Sequence, residues 1–288
     1  MSDFFKGDFL GNLPRTFNPK QRIAFEAIGF SIEAVHLRYC SILDQLSQYN
    51  DHEILNQIPA LERVNLFSNI WSMIDQAHAI NQLLYQSAKK NKGAKADDFG
   101  VSLEGTKVAS AIEEYHSSFS GVLKSLRDNM DHLAGNLDKL AAKKGSQDPM
   151  YGSLSYILSN PEGLSNKKMG VVVLSSGSFI REKHNFNAVN PANLGGKSIS
   201  VPVDHLELSA FGYKIDLSEL YHKIMQLKHL VNTEMAKIFE KEFKKYADDK
   251  GIKYEDMFMS LPGAFTGYMQ MKLVSEEELQ EITKNASN

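Results

Sequence analysis

Three stretches in the first 145 or so residues space their apolar side chains at alternating steps of three and four, which commits this half of the chain to helices. From Phe25 the series runs through Ile28, Ile32, Val35, Tyr39, Ile42 and Leu46. Asn50 and Asp51 then supply turn chemistry, and Pro59 stands where a second helix can begin. Between Leu61 and Tyr85 two series interleave: Val64, Phe67, Trp71 and Ile74, and Leu66, Ile70, Met73, Ala77, Ile80 and Leu84. A stripe that wide must meet more than one neighbour. The third series is Val108, Ile112, Tyr115, Phe119, Val122, Leu126, Met130, Leu133, Leu137 and Leu140, closed by Lys143, Lys144 and Gly145. Three long amphipathic helices joined in this way predict an antiparallel bundle.

The pattern changes after Pro149. "YGSLSYIL", "MGVVVLSSGSF", "KSISVPV" and "HLELSAFGYKI" are short, β-branched or alternating, and punctuated by Gly, Pro and Asn, as in an antiparallel sheet. Asp216 and Glu219 have the spacing of a capping box for a helix that places Leu220, Ile224, Leu227, Val231, Met235 and Ile238 on one face, to about Tyr246. That helix can complete the bundle or cover the sheet. A last short helix is expected after Ser275, with Glu278 three residues on. The fold class expected is α+β, with an antiparallel helical bundle over residues 1–148. An α+β region follows over residues 149–288, with a small antiparallel sheet and a long helix, and can share one core with the bundle.

With 288 residues, 42% hydrophobic and 23% charged, the chain has apolar material for one large domain or two modest ones. A formal charge of −3 provides no global cationic field, which argues against a surface that coats nucleic acid but leaves room for a local basic patch. Cys40 is the single cysteine, so neither an internal disulfide nor a thiolate zinc site can form. This fits a reducing compartment. "MSDFFKGDFLGNLPR" lacks a basic segment followed by an apolar core, and no apolar run approaches the roughly 20 residues that span a bilayer. A cytoplasmic protein without a membrane partner is expected.

Late in the third helical run stand Arg127, Asp128, Asn129, Met130, Asp131 and His132, an arginine and a histidine separated by four residues. This resembles the HEPN superfamily, whose helical bundles carry an arginine, four to six residues and a histidine, often with Asn, Asp or His after the arginine. The strings "IWSMIDQAHAINQLL" and "DPMYGSLSYIL" are similar to segments of bacterial proteins with a HEPN-like bundle. The resemblance covers about Phe25 to Lys144. It implies a metal-independent endoribonuclease acting as a homodimer on RNA, with no cofactor. His132 would handle the proton of the 2′-hydroxyl or leaving group, Arg127 would stabilise the phosphate, and Asp128 would orient the pair. The chemistry is sound, because imidazole titrates near neutrality and guanidinium binds phosphate through two parallel donors.

Helix geometry works against it. At roughly 100° per residue, Arg127 and His132 lie about 140° apart and cannot meet on one straight helix. Asp128 with His132, and Arg127 with Asp131, are instead good local pairs at a spacing of four. Two solvated ion pairs are therefore the structural alternative, and Asp128, Asp131 and Asp138 disfavour a polyanion. Convergence would require a helix break, a long arginine reach or a second subunit.

Other candidates carry less. Asp75 and His78, within a turn of Trp71, fit a histidine at the edge of the core hydrogen-bonded to a carboxylate better than a metal or acid/base site. His222 and His229 are seven residues apart and lack the company of HExxH or CxxC, so no metal site is expected. "LSSGSF" lacks the G-x-S-x-G order, and "ANLGGKS" lacks the first glycine of a phosphate loop. The basic stretches at residues 89–95 and 241–245 have no interleaved aromatics, and Met257, Met259, Met269 and Met271 read as packing residues.

Three functions stay open. The first is a non-catalytic or regulatory HEPN-like module working through protein or nucleic-acid contacts. The second is a toxin- or defence-type endoribonuclease using Arg127 and His132, and the third a small-molecule binder. The ribonuclease requires Arg127 and His132 to converge in positive potential. A scaffold would expose an apolar patch, and a ligand binder would enclose an apolar pocket.

Overall fold

The computed structural model describes residues 10, 13, 17–49, 58–90, 103–135, 149, 151–159, 169–177 and 203–253. Three long helices come first: α1 (Pro19–Ser47), α2 (Ala60–Lys90) and α3 (Lys107–Asp131). Strands β1 (Ser153–Ser159), β2 (Met169–Ser175), β3 (Val203–Ala210) and β4 (Tyr213–Asp216) follow. Then come α4 (Leu217–Leu230), a π-helical turn (Val231–Met235) and α5 (Ala236–Lys250). The architecture is α+β, with helices and a small antiparallel sheet.

α1 begins at a capping box that apolar periodicity does not reveal. The Asn18 side chain accepts from the Gln21 amide at 2.9 Å, Gln21 Oε1 accepts from the Asn18 amide at 3.0 Å, and Pro19 opens the first turn. All seven positions of the first apolar series, Phe25 to Leu46, are buried. On α2 the wide stripe is buried as expected except for Val64, which faces outward. On α3 the deeply buried residue is Leu123, while Val122 only borders the core. This helix breaks within its apolar series, and residues 133–135 are helical again. His132, at φ −105° and ψ 22°, interrupts it after Asp131, and Leu137 and Leu140 lie outside the described residues.

α2 packs between α1 and α3, and α4 packs against both α1 and α3 from the other side. α1 and α3 are therefore diagonal across a four-helix arrangement. α4 also lies on β3, so this helix completes the bundle and covers the sheet at once. Its first turn is capped by Asp216, whose carboxylate accepts from the Glu219 amide at 2.8 Å. The π-helical turn then places Val231 and Met235 in the core and leads into α5. Phe239 of α5 packs on Phe17 and Phe25, with ring centroids 4.9 and 5.6 Å apart.

The sheet order is β2-β1-β3-β4, antiparallel throughout. Leu154 faces Leu174 on one side and Leu208 on the other. Gly152, at φ +89°, leads into β1, where a Cβ would stand 2.6 Å from the Ser209 carbonyl oxygen, so only glycine fits. The β1/β3 ladder slips between Ser155 and Ile157, and opposite the slip His205 adopts a φ of 54°. The displaced Leu206 amide donates to Ser218 Oγ at 3.0 Å. Tyr39 Oη of α1 donates to the same oxygen at 3.0 Å, so one serine joins strand, helix and bundle. Trp71 Nε1 donates to the Tyr151 carbonyl at 3.1 Å, and one apolar cluster runs through bundle and sheet. The turn at "ANLGGKS", the helix after Ser275 and the four C-terminal methionines lie outside the described residues.

Candidate functional site

Arg127, the arginine of the candidate motif, lies on the seam between α2 and α3. The two helices run antiparallel, which sets Asp75 beside Arg127 and Asn81 beside His116. Tyr115 Oη donates to the Ala77 carbonyl at 2.9 Å and holds the seam in register.

Arg127 is held from two sides. Its Nε lies 3.5 Å from Asp131 Oδ2, one turn further on the same helix, and 3.9 Å from Asp75 Oδ1 across the seam. These separations are those of ion pairs rather than short hydrogen bonds. The Arg127–Asp131 pair is the one expected from their spacing. The Asp75 contact depends on topology, and local spacing cannot reveal it. His132 stands at the C-cap, exposed, its amide donating to the Asp128 carbonyl at 3.2 Å. The helix break that would let His132 swing toward Arg127 is present, yet the ion pairs of Arg127 among the described residues are with Asp75 and Asp131. Asp128 is exposed, and its field acts on His78 of α2.

His78 is therefore the histidine that shares the Arg127 environment. It is buried, and its Nδ1 has no hydrogen-bond partner among the described residues. Burial pushes its pKa below the ordinary imidazole range, Arg127 and Lys124 push the same way, and Asp128 and Asp75 oppose them. Partial burial lifts the Asp75 carboxyl above its usual range, and Arg127 pulls it back only in part. One turn on, Asn81 Oδ1 meets His116 Nδ1 at 3.0 Å, while its buried Nδ2 lacks a partner among the described residues. The His116 ring stacks on Tyr85 with centroids 3.3 Å apart. Asp75 and His78 stand out in the sequence, whereas Asn81, Tyr85 and His116 join them only where α2 packs on α3. The signal was the continued spacing of polar residues along α2 at 75, 78, 81 and 85.

A second polar group joins α1 to α4. His36 Nδ1 lies 2.8 Å from Tyr221 Oη, and the Tyr221 ring stacks on Tyr39 with centroids 4.0 Å apart. Cys40 Sγ is 3.9 Å from His36 Nδ1. Burial raises both phenols above their ordinary range, and Tyr39 Oη donates to Ser218 Oγ. His222 and His229 are both exposed on α4. Among the described residues no group of three or more His, Cys, Asp or Glu side chains is arranged to hold a metal ion. Among the same residues no helix is long and apolar enough to cross a membrane.

Comparison with known proteins found no matching family model, no similar curated protein and no similar solved structure.

Proposed function

We propose that this protein is a non-catalytic, regulatory binding module built on a HEPN-like helical bundle. One observation carries the reading: Arg127, the residue that a ribonuclease would aim at phosphate, is engaged by Asp75 and Asp131, while His132 stands exposed beyond the helix break. Asp75 and Asp131 pair with Arg127, and Asp128 and Lys124 act on the neighbouring His78, so three carboxylates stand against two cations, a balance that disfavours a polyanion. His78, close enough to feel Arg127, is too buried to reach a 2′-hydroxyl.

The test is cleavage of a mixed RNA pool by purified protein in EDTA, beside Arg127→Ala and His132→Ala. The module reading expects no cleavage above background in all three. Cleavage by wild-type protein that is lost in both variants would replace it with the ribonuclease reading.

A further inference from the structure

α1 has two apolar faces, and the core uses one. On the side opposite Phe25, Ile32, Tyr39 and Leu46 stand Ile23, Phe30 and Leu37, exposed to 67%, 71% and 66%. Single exposed apolar side chains are ordinary, but these three recur every seven residues along one line. Ala27 and Ala34 fall between them, so Ile23, Ala27, Phe30, Ala34, Leu37 and Ser41 alternate steps of four and three. That is the seam of a two-stranded coiled coil, large side chains at one position and small ones at the other. A ridge with this repeat fits another straight helix along its length rather than a loop or a sheet edge.

We infer that the occupant is α1 of a second copy, packed parallel across a two-fold axis. The charges flanking the seam select both partner and direction. Glu33 precedes the seam position Ala34, and Arg38 follows the seam position Leu37, five residues further on. In a parallel pair such residues face each other between chains, so Glu33 of each copy meets Arg38 of the other, giving two ion pairs. An antiparallel pair centred on Phe30 would set Glu26 against Glu33 and repel. Both side chains have capacity left. Glu33 is half-exposed while bonded to Lys228, and the hydrogen bond of Arg38 among the described residues is from Nη1 to Asn69.

The geometry has a functional consequence. α3 is diagonal to α1, so a dimer through the outer face of α1 holds the two Arg127–His132 segments on far sides and builds no composite site between them. The inference names the partner of the binding module and rests on that reading for its meaning. Mass in solution and RNA cleavage are separate readouts, so either can fail alone.

The test is sedimentation velocity of the full chain from about 1 to about 200 µM, since a seam of two to three heptads lies at the small end of specific interfaces. Wild-type protein shifts from the 32.3 kDa monomer to twice that mass as concentration rises. Phe30→Glu raises the dissociation constant at least about tenfold, a loss of about 1.4 kcal/mol. Its circular dichroism, and its melting temperature at concentrations where the wild type is monomeric, stay unchanged, because the side chain does not face the core. Glu33→Arg weakens the dimer, and Glu33→Arg with Arg38→Glu restores it. A monomer throughout the range overturns the inference, as does a dimer indifferent to Phe30→Glu. A dimer that the double charge reversal does not restore overturns the parallel arrangement.

Discussion

Replacing Ser218 with alanine removes one oxygen and strands two donors. Ser218 is buried, and its Oγ accepts from the Leu206 amide and from Tyr39 Oη, each at 3.0 Å. The Leu206 amide depends on it because the slip in the β1/β3 ladder displaces its register there. Leaving a buried donor unsatisfied costs about 1–3 kcal/mol. The tyrosine hydroxyl can rotate and the strand amide cannot, and alanine regains a few tenths of a kcal/mol in helix propensity, so the net loss is about 2–4 kcal/mol. Tyr39→Phe removes one donor and leaves the serine its other bond, at about 1 kcal/mol. The double variant then loses less than the sum of the two. Urea unfolding followed by Trp71 fluorescence and far-ultraviolet circular dichroism measures all three. A Ser218→Ala loss within about 0.5 kcal/mol of zero, the ordinary range for a surface change, would refute the reasoning, as would strict additivity with Tyr39→Phe.

Further outcomes follow from the same geometry. Gly152→Ala adds left-handed backbone strain and a clash with the Ser209 carbonyl, and lowers stability by about 2–4 kcal/mol in the same urea assay. Burial makes the folded His78 ring less basic than the unfolded one, which protonates as an ordinary imidazole at about 6.5. The stability it contributes is therefore complete above that pH and is lost as pH falls through the depressed folded value. His78→Gln should show a smaller loss of stability than wild-type protein between about pH 7.5 and about pH 5.5, and an equal loss would contradict the burial argument. Trp71→Phe gives up the hydrogen bond to the Tyr151 carbonyl and part of the contact with Phe211, costing about 1–3 kcal/mol by differential scanning calorimetry. Bundle and sheet should still melt in one transition.

The helices were legible because each buries a repeating face, and Phe25 through Leu46 reports that face at every turn. The limits of legibility are equally physical. Val64 continues a helical series but sits where the stripe turns away from the core, so spacing alone cannot show it exposed. The break after Asp131 is set by the backbone of His132, which an apolar series running on to Leu140 does not register. Whether α4 covers bundle or sheet could not be decided from one amphipathic face, since its flanks meet both. The α2–α3 seam was half legible. Arg127 with Asp131 is a local pair, whereas Arg127 with Asp75 and His116 with Asn81 join residues that only the bundle topology brings together. The outer line of Ile23, Phe30 and Leu37 was present in the sequence from the start, overshadowed by the stronger inner series beside it.

The central claim is that Arg127 belongs to an ion-paired seam and is not free to bind phosphate. Fluorescence anisotropy of a labelled single-stranded RNA at low salt tests it most directly, with wild-type protein, Arg127→Ala and the pair Asp75→Asn with Asp131→Asn. The account predicts that wild-type protein and Arg127→Ala bind RNA equally weakly, and that removing both carboxylates tightens binding by freeing the guanidinium. Binding by wild-type protein that Arg127→Ala weakens by about tenfold or more would contradict it.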